Sequence, residues 1–394
     1  MTRREVTLND DPEAGDARDS GRLADEGGLA RSEPGQPRLP RLPRLKQTIE
    51  VVAPGNGNLY LLRPGGDADL MIGDAGEAEA RFLASLDGTR ELPPDADLGA
   101  IRELVELGLV EDAADDDVLS ERQRGRLDRQ LRYLSDLAPP GQGRAGYQER
   151  LARSTVAVLG VGGLGSWAAL ALACVGIGRL VVVDADAVEE SNFNRQVLFE
   201  EADQGALKVE AAARRLRAFD SALDVVASAE ELASPEDVGR VIAGADIVVD
   251  AADRPAHLIE RWVDAACFER GIPYITMSHF PPVARIGPLY VPGRTACFAC
   301  LEAQMREAFP LFDAVVAART ARPSPAGTFG PACALIGGWV AADVTHHLSG
   351  IAEPSTLGRA HIVDLRSMSV TIDALPAHLG CERCSPGASR AGGR

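Results

Sequence analysis

The chain holds 394 residues, 45% hydrophobic and 25% charged, with a formal net charge of −17. That balance suits two or three soluble domains and argues against a general nucleic-acid binder, which needs an excess of Lys and Arg to neutralise phosphate. The polar start, Met1 to Asp11, lacks the apolar core of a signal peptide, and the longest apolar run, Trp167 to Ile177, is too short to span a bilayer, so a cytoplasmic chain without membrane association is expected.

Residues 1–44 are rich in Asp, Glu, Gly, Pro and Arg and end in the repeat Arg38-Leu39-Pro40-Arg41-Leu42-Pro43-Arg44; a disordered leader is expected there. Residues 45–112 form a small α+β domain in this reading. Apolar runs at Ile49 to Ala53 and Leu59 to Leu62, split by Pro-Gly-Asn-Gly, predict a hairpin, and Asp69 to Ile72 supplies a third strand. Helices follow at Glu77 to Leu86 and Leu98 to Leu107. Three strands followed by helices suggest a winged-helix-like module, and the acidic residues Glu111, Asp112 and Asp115 to Asp117 disfavour DNA as its partner. Residues 113–146 read as a helical linker, with one helix from Leu119 to Leu137 stopped by Pro139-Pro140-Gly141.

From 147 to 385 strands and helices alternate, the pattern of a doubly wound, Rossmann-like α/β sheet. Thr155 to Leu159 is a β-branched apolar run, and Gly160-Val161-Gly162-Gly163-Leu164-Gly165 follows at once, opening a helix. Glycines there let the backbone approach phosphate, and the helix N-terminus favours anions. The next strand, Leu180 to Val183, ends at Asp184, placed to bind ribose hydroxyls. These features say nucleotide, with an NAD-dependent dehydrogenase as competitor.

Further along stand Asp186, Ser191-Asn192-Phe193-Asn194-Arg195-Gln196, a helix carrying Lys208, and a strand ending in Asp250-Ala251-Ala252-Asp253. In this order, with Gly205 three residues before Lys208, the motifs resemble the ThiF/MoeB/HesA superfamily, relatives of ubiquitin-activating enzymes. The resemblance implies an ATP-dependent adenylyltransferase in which Gly160, Gly162, Gly163 and Gly165 form the nucleotide loop and Asp184 binds the ribose. It further implies Asp186 and Gln196 at the nucleotide, Asn192, Arg195 and Lys208 on the phosphates, and Asp253 on Mg²⁺. Arg195, Lys208 and Asp253 are the candidate catalytic residues. Guanidinium, ammonium and a hard-oxygen metal ligand suit the charge that builds when a carboxylate attacks the α-phosphate. Singly, each has a plainer role: Lys208 a solvated helix charge, Asn192 a turn residue, Asp253 a helix cap. Arg254 departs from the family, which often has Asn there. Arg129, in Asp128-Arg129-Gln130, partly resembles the family's Arg that reaches the neighbouring subunit's nucleotide; a homodimer is expected on that basis.

Seven cysteines, an odd number, argue against a disulfide framework. Cys297-x-x-Cys300 and Cys381-x-x-Cys384 can together make a closed tetrahedral zinc site of structural role, as in many members of the family. Ser385 ends the folded region, and 386–394 are expected to be a disordered tail. Some relatives carry the acyl group on a cysteine in a mobile loop; here the corresponding loop, about Phe309 to Gly330, has none. Cys174, Cys267 and Cys333 read as small buried residues. His346 and His347 sit at a helix end, while His279 follows a strand predicted from Pro273 to Met277 and is core or cleft lining.

Leu86-Asp87-Gly88-Thr89-Arg90 with Leu104 to Val110 resembles PqqD-like domains, which bind the leader of a precursor peptide at the edge of the small sheet. The combined layout resembles MccB-like enzymes of ribosomal peptide (RiPP) biosynthesis. The expected activity is adenylation of a carboxylate on a precursor peptide or small carrier protein, with ATP, Mg²⁺ and Zn²⁺ as cofactors. Two alternatives stand beside it. One is activation of a ubiquitin-like sulfur carrier. The other is a non-catalytic nucleotide-sensing regulator.

Overall fold

The computed structural model describes residues 3–6, 38–63, 69–94, 96–321, 327–381 and 383–384. The chain divides into two compact units, Met1–Gly146 and Tyr147–Arg394.

In the first unit, strands β1 (Arg3–Val6), β2 (Pro43–Leu45), β3 (Glu50–Val52), β4 (Leu59–Leu62) and β5 (Asp69–Ile72) precede helices α1 (Glu77–Ser85) and α2 (Leu98–Glu106). Strand β6 (Val110–Asp112) and helices α3 (Glu121–Arg126) and α4 (Asp128–Leu137) follow. The main sheet has the order β1-β5-β4-β3, all antiparallel, and β2 pairs with β6. Alternation along β4 buries Leu59 and Leu61 against Leu83, Ile101, Leu104 and Val105. Asp97 caps α2, its carboxylate accepting from the Gly99 and Ala100 amides.

Three expectations for this unit need correction. The leader is not wholly without structure: Arg3–Val6 adds a fourth strand to the sheet, and the Arg-Leu-Pro repeat enters β2. The open edge of β5 supplies unpaired N–H and C=O groups that an extended segment satisfies. Residues 7–37 of the expected leader lie outside the described residues. The expected linker is folded onto the same unit, because Arg144 and Arg44 share the buried Asp116 carboxylate at 2.9 and 2.8 Å, while Arg44 also meets Glu111 at 2.7 Å. The helix expected from Leu119 to Leu137 is two helices, broken at Leu127.

The second unit opens with α5 (Ala145–Arg153), which starts at the boundary. It continues through β7 (Thr155–Leu159), α6 (Gly163–Cys174), β8 (Arg179–Val183), α7 (Lys208–Phe219) and β9 (Asp224–Ser228). Next come α8 (Pro235–Val241), β10 (Ile247–Asp250), α9 (Ile259–Arg270), β11 (Tyr274–Phe280) and β12 (Val283–Tyr290). The last elements are α10 (Phe298–Ala308), α11 (Phe312–Ala321), α12 (Gly330–Ser349), β13 (Arg359–Asp364) and β14 (Ser369–Ala374).

The sheet runs β14-β13-β12-β11-β10-β7-β8-β9; β9 to β11 are parallel, and β12 to β14 add antiparallel strands. Strands buried on both faces read as continuous apolar runs, as in Val156 to Leu159 and Ile247 to Val249. One face packs on residues of α6, α7 and α12, the other on α8, α9 and α10. Chain order reverses between β7 and β10, so the crevice at their carboxyl ends is where such a sheet binds its ligand.

The stretch Phe309 to Gly330, expected as a loop, contains α11; residues 322–326 lie outside the described residues, as do Ser385 and the expected tail, 386–394. Cys267 and Cys333 are buried as expected, but Cys174 is exposed at the end of α6. No helix among the described residues is long and apolar enough to cross a membrane.

Candidate nucleotide site and cysteine cluster

The glycine loop links β7 to α6 at the point of chain reversal. Gly160 has φ +82°, and a Cβ there would fall 2.7 Å from the Ala251 carbonyl oxygen, so only glycine lets the loop lie against the segment after β10. Gly165 is equally constrained: a Cβ would fall within bonding distance of the Gly160 carbonyl, which forbids any side chain on this face of α6. The Asp250–Asp253 segment is thereby seated beside the loop, with Asp253 exposed in the turn.

On the other side, the Val161 amide donates to Asp184 at 2.8 Å, and the Asp186 amide donates to the second oxygen of Asp184 at 2.9 Å. Burial raises the Asp184 carboxyl above its ordinary value, and the nearby Lys208 ammonium opposes that rise. Lys208, at the first position of α7, is buried and donates to Asp186 at 2.7 Å; Asp184 lies at 3.9 Å. Two carboxylates and one ammonium thus stand at the mouth of the glycine loop.

Gln196 and Asn192 are both buried. A Cβ on Gly162 would lie 4.0 Å from Gln196 Nε2, and Gln196 Oε1 has no partner among the described residues. The Asn192 side-chain oxygen accepts from the Glu189 amide at 3.0 Å, which holds the turn in shape. Arg195 is placed by its own backbone, its carbonyl accepting from Trp167 Nε1 at 3.1 Å. Its guanidinium donates to Asn194 Oδ1 at 2.9 Å. A cleft of about 370 Å³ opens between this segment and the start of α12. The structure therefore gathers Gly160, Gly162, Gly163, Gly165, Asp184, Asp186, Asn192, Arg195, Gln196, Lys208 and the Asp253 segment around one loop. Arg129 belongs to the other unit, on α4, where its side chain is 90% exposed.

Two neighbours of this site had no sequence signal. A Cβ on Gly163 would lie 3.1 Å from Cys333 Sγ and 3.4 Å from Arg195, so the first turn of α12 packs on the loop. A Cβ on Gly330 would meet the Asn194 carbonyl at 2.6 Å. Burial raises the Cys333 thiol above its ordinary value, which leaves it un-ionised.

The four thiols of Cys297, Cys300, Cys381 and Cys384 converge with every Sγ within 4.8 Å of the others. The distances of 3.9 Å for Cys297–Cys300 and 3.6 Å for Cys297–Cys381 bracket the edge of about 3.8 Å expected for four thiolates around zinc at about 2.3 Å. The donor set and its spacing could hold a zinc ion. Behind it, buried Asp264 accepts from Tyr274 OH at 2.7 Å, from the Phe298 amide at 3.1 Å and from Arg383. Asp264 thereby joins the two Cys-x-x-Cys segments outside the thiols. Neither its spacing nor its residue type marked it in the sequence.

Comparison with known proteins identifies the family. The ThiF family model matches residues 127–383. The chain is 32% identical over 266 residues to the sulfur carrier protein ThiS adenylyltransferase of Escherichia coli K12, spanning 68% of this chain and 97% of that protein. It is 37% identical over 179 residues to the SAMP-activating enzyme E1 of Haloferax volcanii, spanning 45% and 62% of the two chains. Among solved structures, PaaA superposes with a TM-score of 0.68 at 26% identity, over 84% of this chain and 99% of PaaA. E. coli MccB with AMPCPP and selenomethionine MccA superposes with a TM-score of 0.66 at 25% identity, over 87% and 99%. The chain belongs to the ThiF family and is an ATP-dependent adenylyltransferase of the ThiF/MoeB type.

Proposed function

We propose that this chain adenylates a carboxylate of a precursor peptide, releasing pyrophosphate, in the biosynthesis of a ribosomally made peptide product. The observation that carries the reading is the convergence of Lys208, Asp184, Asp186 and Arg195 on the glycine loop. The loop amides and the α6 N-terminus cradle phosphate, and Asp184 takes the ribose. Arg195 and Lys208 offset charge on the phosphoryl oxygens as the carboxylate oxygen attacks the α-phosphate and the bond to pyrophosphate breaks. Lys208 reaches that position by exchanging its Asp186 contact for phosphate. Asn192 would join Arg195 and Lys208 on the phosphates, and Gln196, whose side-chain oxygen has no partner among the described residues, would meet the nucleotide. Asp253, an exposed hard-oxygen donor beside Gly160, would hold Mg²⁺, which supplies further neutralisation of the phosphates. The attacking carboxylate is already ionised near pH 7, so no general base is required. Arg129 would act on the nucleotide of a second subunit in a homodimer.

The peptide reading rests on the first unit. The β5 edge carries Arg3–Val6 as an added antiparallel strand, with Arg3 opposite Ile72 and Val6 opposite Asp69. A leader peptide bound there by strand addition would take the place of Arg3–Val6 on that edge. The ThiF-type enzymes PaaA and MccB cover both units of this chain at 84% and 87%, and one MccB structure contains MccA. Cys333 is buried and un-ionised, so the acyl group would pass to its acceptor without an enzyme thioester. The cysteine cluster would bind Zn²⁺ structurally, having no open position.

ATP–pyrophosphate exchange with peptides encoded beside the gene, comparing wild type with Asp253→Ala, tests this reading. Exchange that requires one peptide and is lost in the variant supports it. The similarity to a ThiS adenylyltransferase over 97% of that enzyme favours a second reading, activation of a sulfur-carrier C-terminus. Exchange with a Gly-Gly-ending carrier protein, and with no peptide, would establish that reading instead. Failure to bind ATP would sink both.

A further inference from the structure

His279 is the one histidine among the described residues buried with neither ring nitrogen hydrogen-bonded: it is 7% exposed, and Nδ1 and Nε2 both lack a partner there. His361, equally buried, has Nε2 3.0 Å from the Ser355 carbonyl. A buried imidazole without partners is costly, and a fold keeps such a group where something else satisfies it.

Its place in the sheet suggests what that is. Strand β11 lies next to β10, with Thr276 opposite Asp250, so the carboxyl end of β11 is one strand away from the Asp250–Asp253 turn. His279 alternates with Ile275 and Met277 and pairs with Ala284; all three of these residues pack in the layer shared with α6 and α12. The ring is therefore on the face of the sheet that carries the glycine loop and the first turn of α12. The chain entering α12 runs between the two places: a Cβ on Gly327 would lie 4.0 Å from Pro281, in the turn just beyond His279, and Gly330 abuts Asn194 beside Arg195. Phe280, next to His279, and Phe329, next to Gly330, are 61% and 60% exposed. A substrate tail entering at the β11–β12 turn and running to the phosphates passes His279.

Burial lowers the imidazole's proton affinity, so the ring is neutral near pH 7, with one N–H donor and one acceptor nitrogen. An extended main chain supplies both kinds of partner, a C=O for the donor nitrogen and an N–H for the acceptor nitrogen. A carboxylate matches only the donor. We propose that His279 is a positioning residue that hydrogen-bonds a main-chain amide near the carboxylate to be adenylated, holding the substrate tail in the bound complex. Both nitrogens are closed to solvent, so a tail that bonds them displaces what packs over the ring. The inference rests on the adenylation reading above but not on which substrate is correct, since peptide and carrier tails share the main-chain amide.

The test is ATP–pyrophosphate exchange by the full chain with two probes, a pool of synthetic peptides with free C-termini and a Gly-Gly-ending carrier protein. Wild type is compared with His279→Leu and His279→Gln. The leucine variant should raise KM for the active probe about tenfold or more, with kcat and the KM for ATP within about threefold and an equal or higher Tm. Glutamine, which keeps a donor and an acceptor, should recover most of the affinity. Unchanged probe KM in the leucine variant would overturn the proposal and make His279 a core residue. A parallel loss of ATP affinity would also overturn it, assigning the side chain to the nucleotide. Wild type that binds ATP but exchanges with neither probe would instead count against the adenylation reading, and this inference would fall with it.

Discussion

Lys208 Nζ lies 2.7 Å from the Asp186 carboxylate and 3.9 Å from that of Asp184, joining the start of α7 to the end of β8 beside the glycine loop. The contact holds a buried ammonium group at the loop, and in the proposed mechanism it exchanges Asp186 for phosphate. Lys208→Ala should reduce kcat for ATP–pyrophosphate exchange by about 10²- to 10³-fold, the scale of losing one preorganised charge donor. Circular dichroism should show an intact fold. Lys208→Arg should not restore the rate, because the planar fork cannot occupy the same buried position. Exchange within a few-fold of wild type in Lys208→Ala would remove this residue from catalysis.

Asp250, at the end of β10, is held well above the ordinary carboxylate range by burial and then by the Glu260 carboxylate. A folded pKa above the unfolded value of about 3.8 means the native state keeps the proton longer. Its contribution to stability is complete below the unfolded pKa and is lost as pH rises through the folded pKa. Asp250→Asn keeps an oxygen to accept from the Ala252 amide and removes the titration. The variant should have a higher Tm than wild type at pH 8 and a shallower fall of stability with pH. Urea unfolding at several pH values checks this; identical slopes would show that Asp250 is not the group responsible.

The cysteine cluster predicts zinc bound at one ion per chain, lost in Cys297→Ser and Cys381→Ser. Zinc should contribute folding energy directly, so both variants and chelator-treated wild type should melt at lower temperature. Asp264→Asn should retain zinc and melt at an intermediate temperature, because it weakens the Arg383 link while leaving four thiols. Elemental analysis together with thermal melts decides the matter; zinc-free wild type with the same Tm would refute the site.

Arg44 lies between Glu111 and Asp116, all three less than a tenth exposed. Arg44→Met should destabilise the first unit by about 3 kcal/mol, since it removes one of the two guanidinium groups on buried Asp116 and leaves Glu111 with Ser135 and the more distant Arg144. Adding Glu111→Leu should recover part of that loss, because a buried ion pair and an apolar pair of similar volume differ little. A single substitution costing under about 1 kcal/mol would mean water reaches these carboxylates in place of the guanidinium.

The alternating α/β pattern, the glycine loop and the order of Asp184, Arg195, Lys208 and Asp253 were legible because each is a local signal. Apolar runs buried on both faces give parallel strands, and glycines at fixed offsets follow from a loop that must press on backbone. The paired Cys-x-x-Cys segments were legible for the same reason, since two thiols three residues apart span one edge of a tetrahedron. Arg3–Val6 was not legible as a strand, because a short polar segment pairs only when an open edge is offered, and that edge is made by residues 69–72. The expected helical linker misled in a similar way, since Arg144 and Asp116 look like surface charges until Arg44 is brought between them. Cys333, Asp264 and His279 depended wholly on tertiary structure. Their roles come from neighbours that the sequence places more than 30 residues away: Gly163 against Cys333, Arg383 and Phe298 against Asp264, and Gly327 against the turn beside His279. Sequence determined which chemistry this protein carries, because those groups recur at short spacing; only the packed sheet decided what surrounds them, because burial and partner choice are set by contacts distant along the chain.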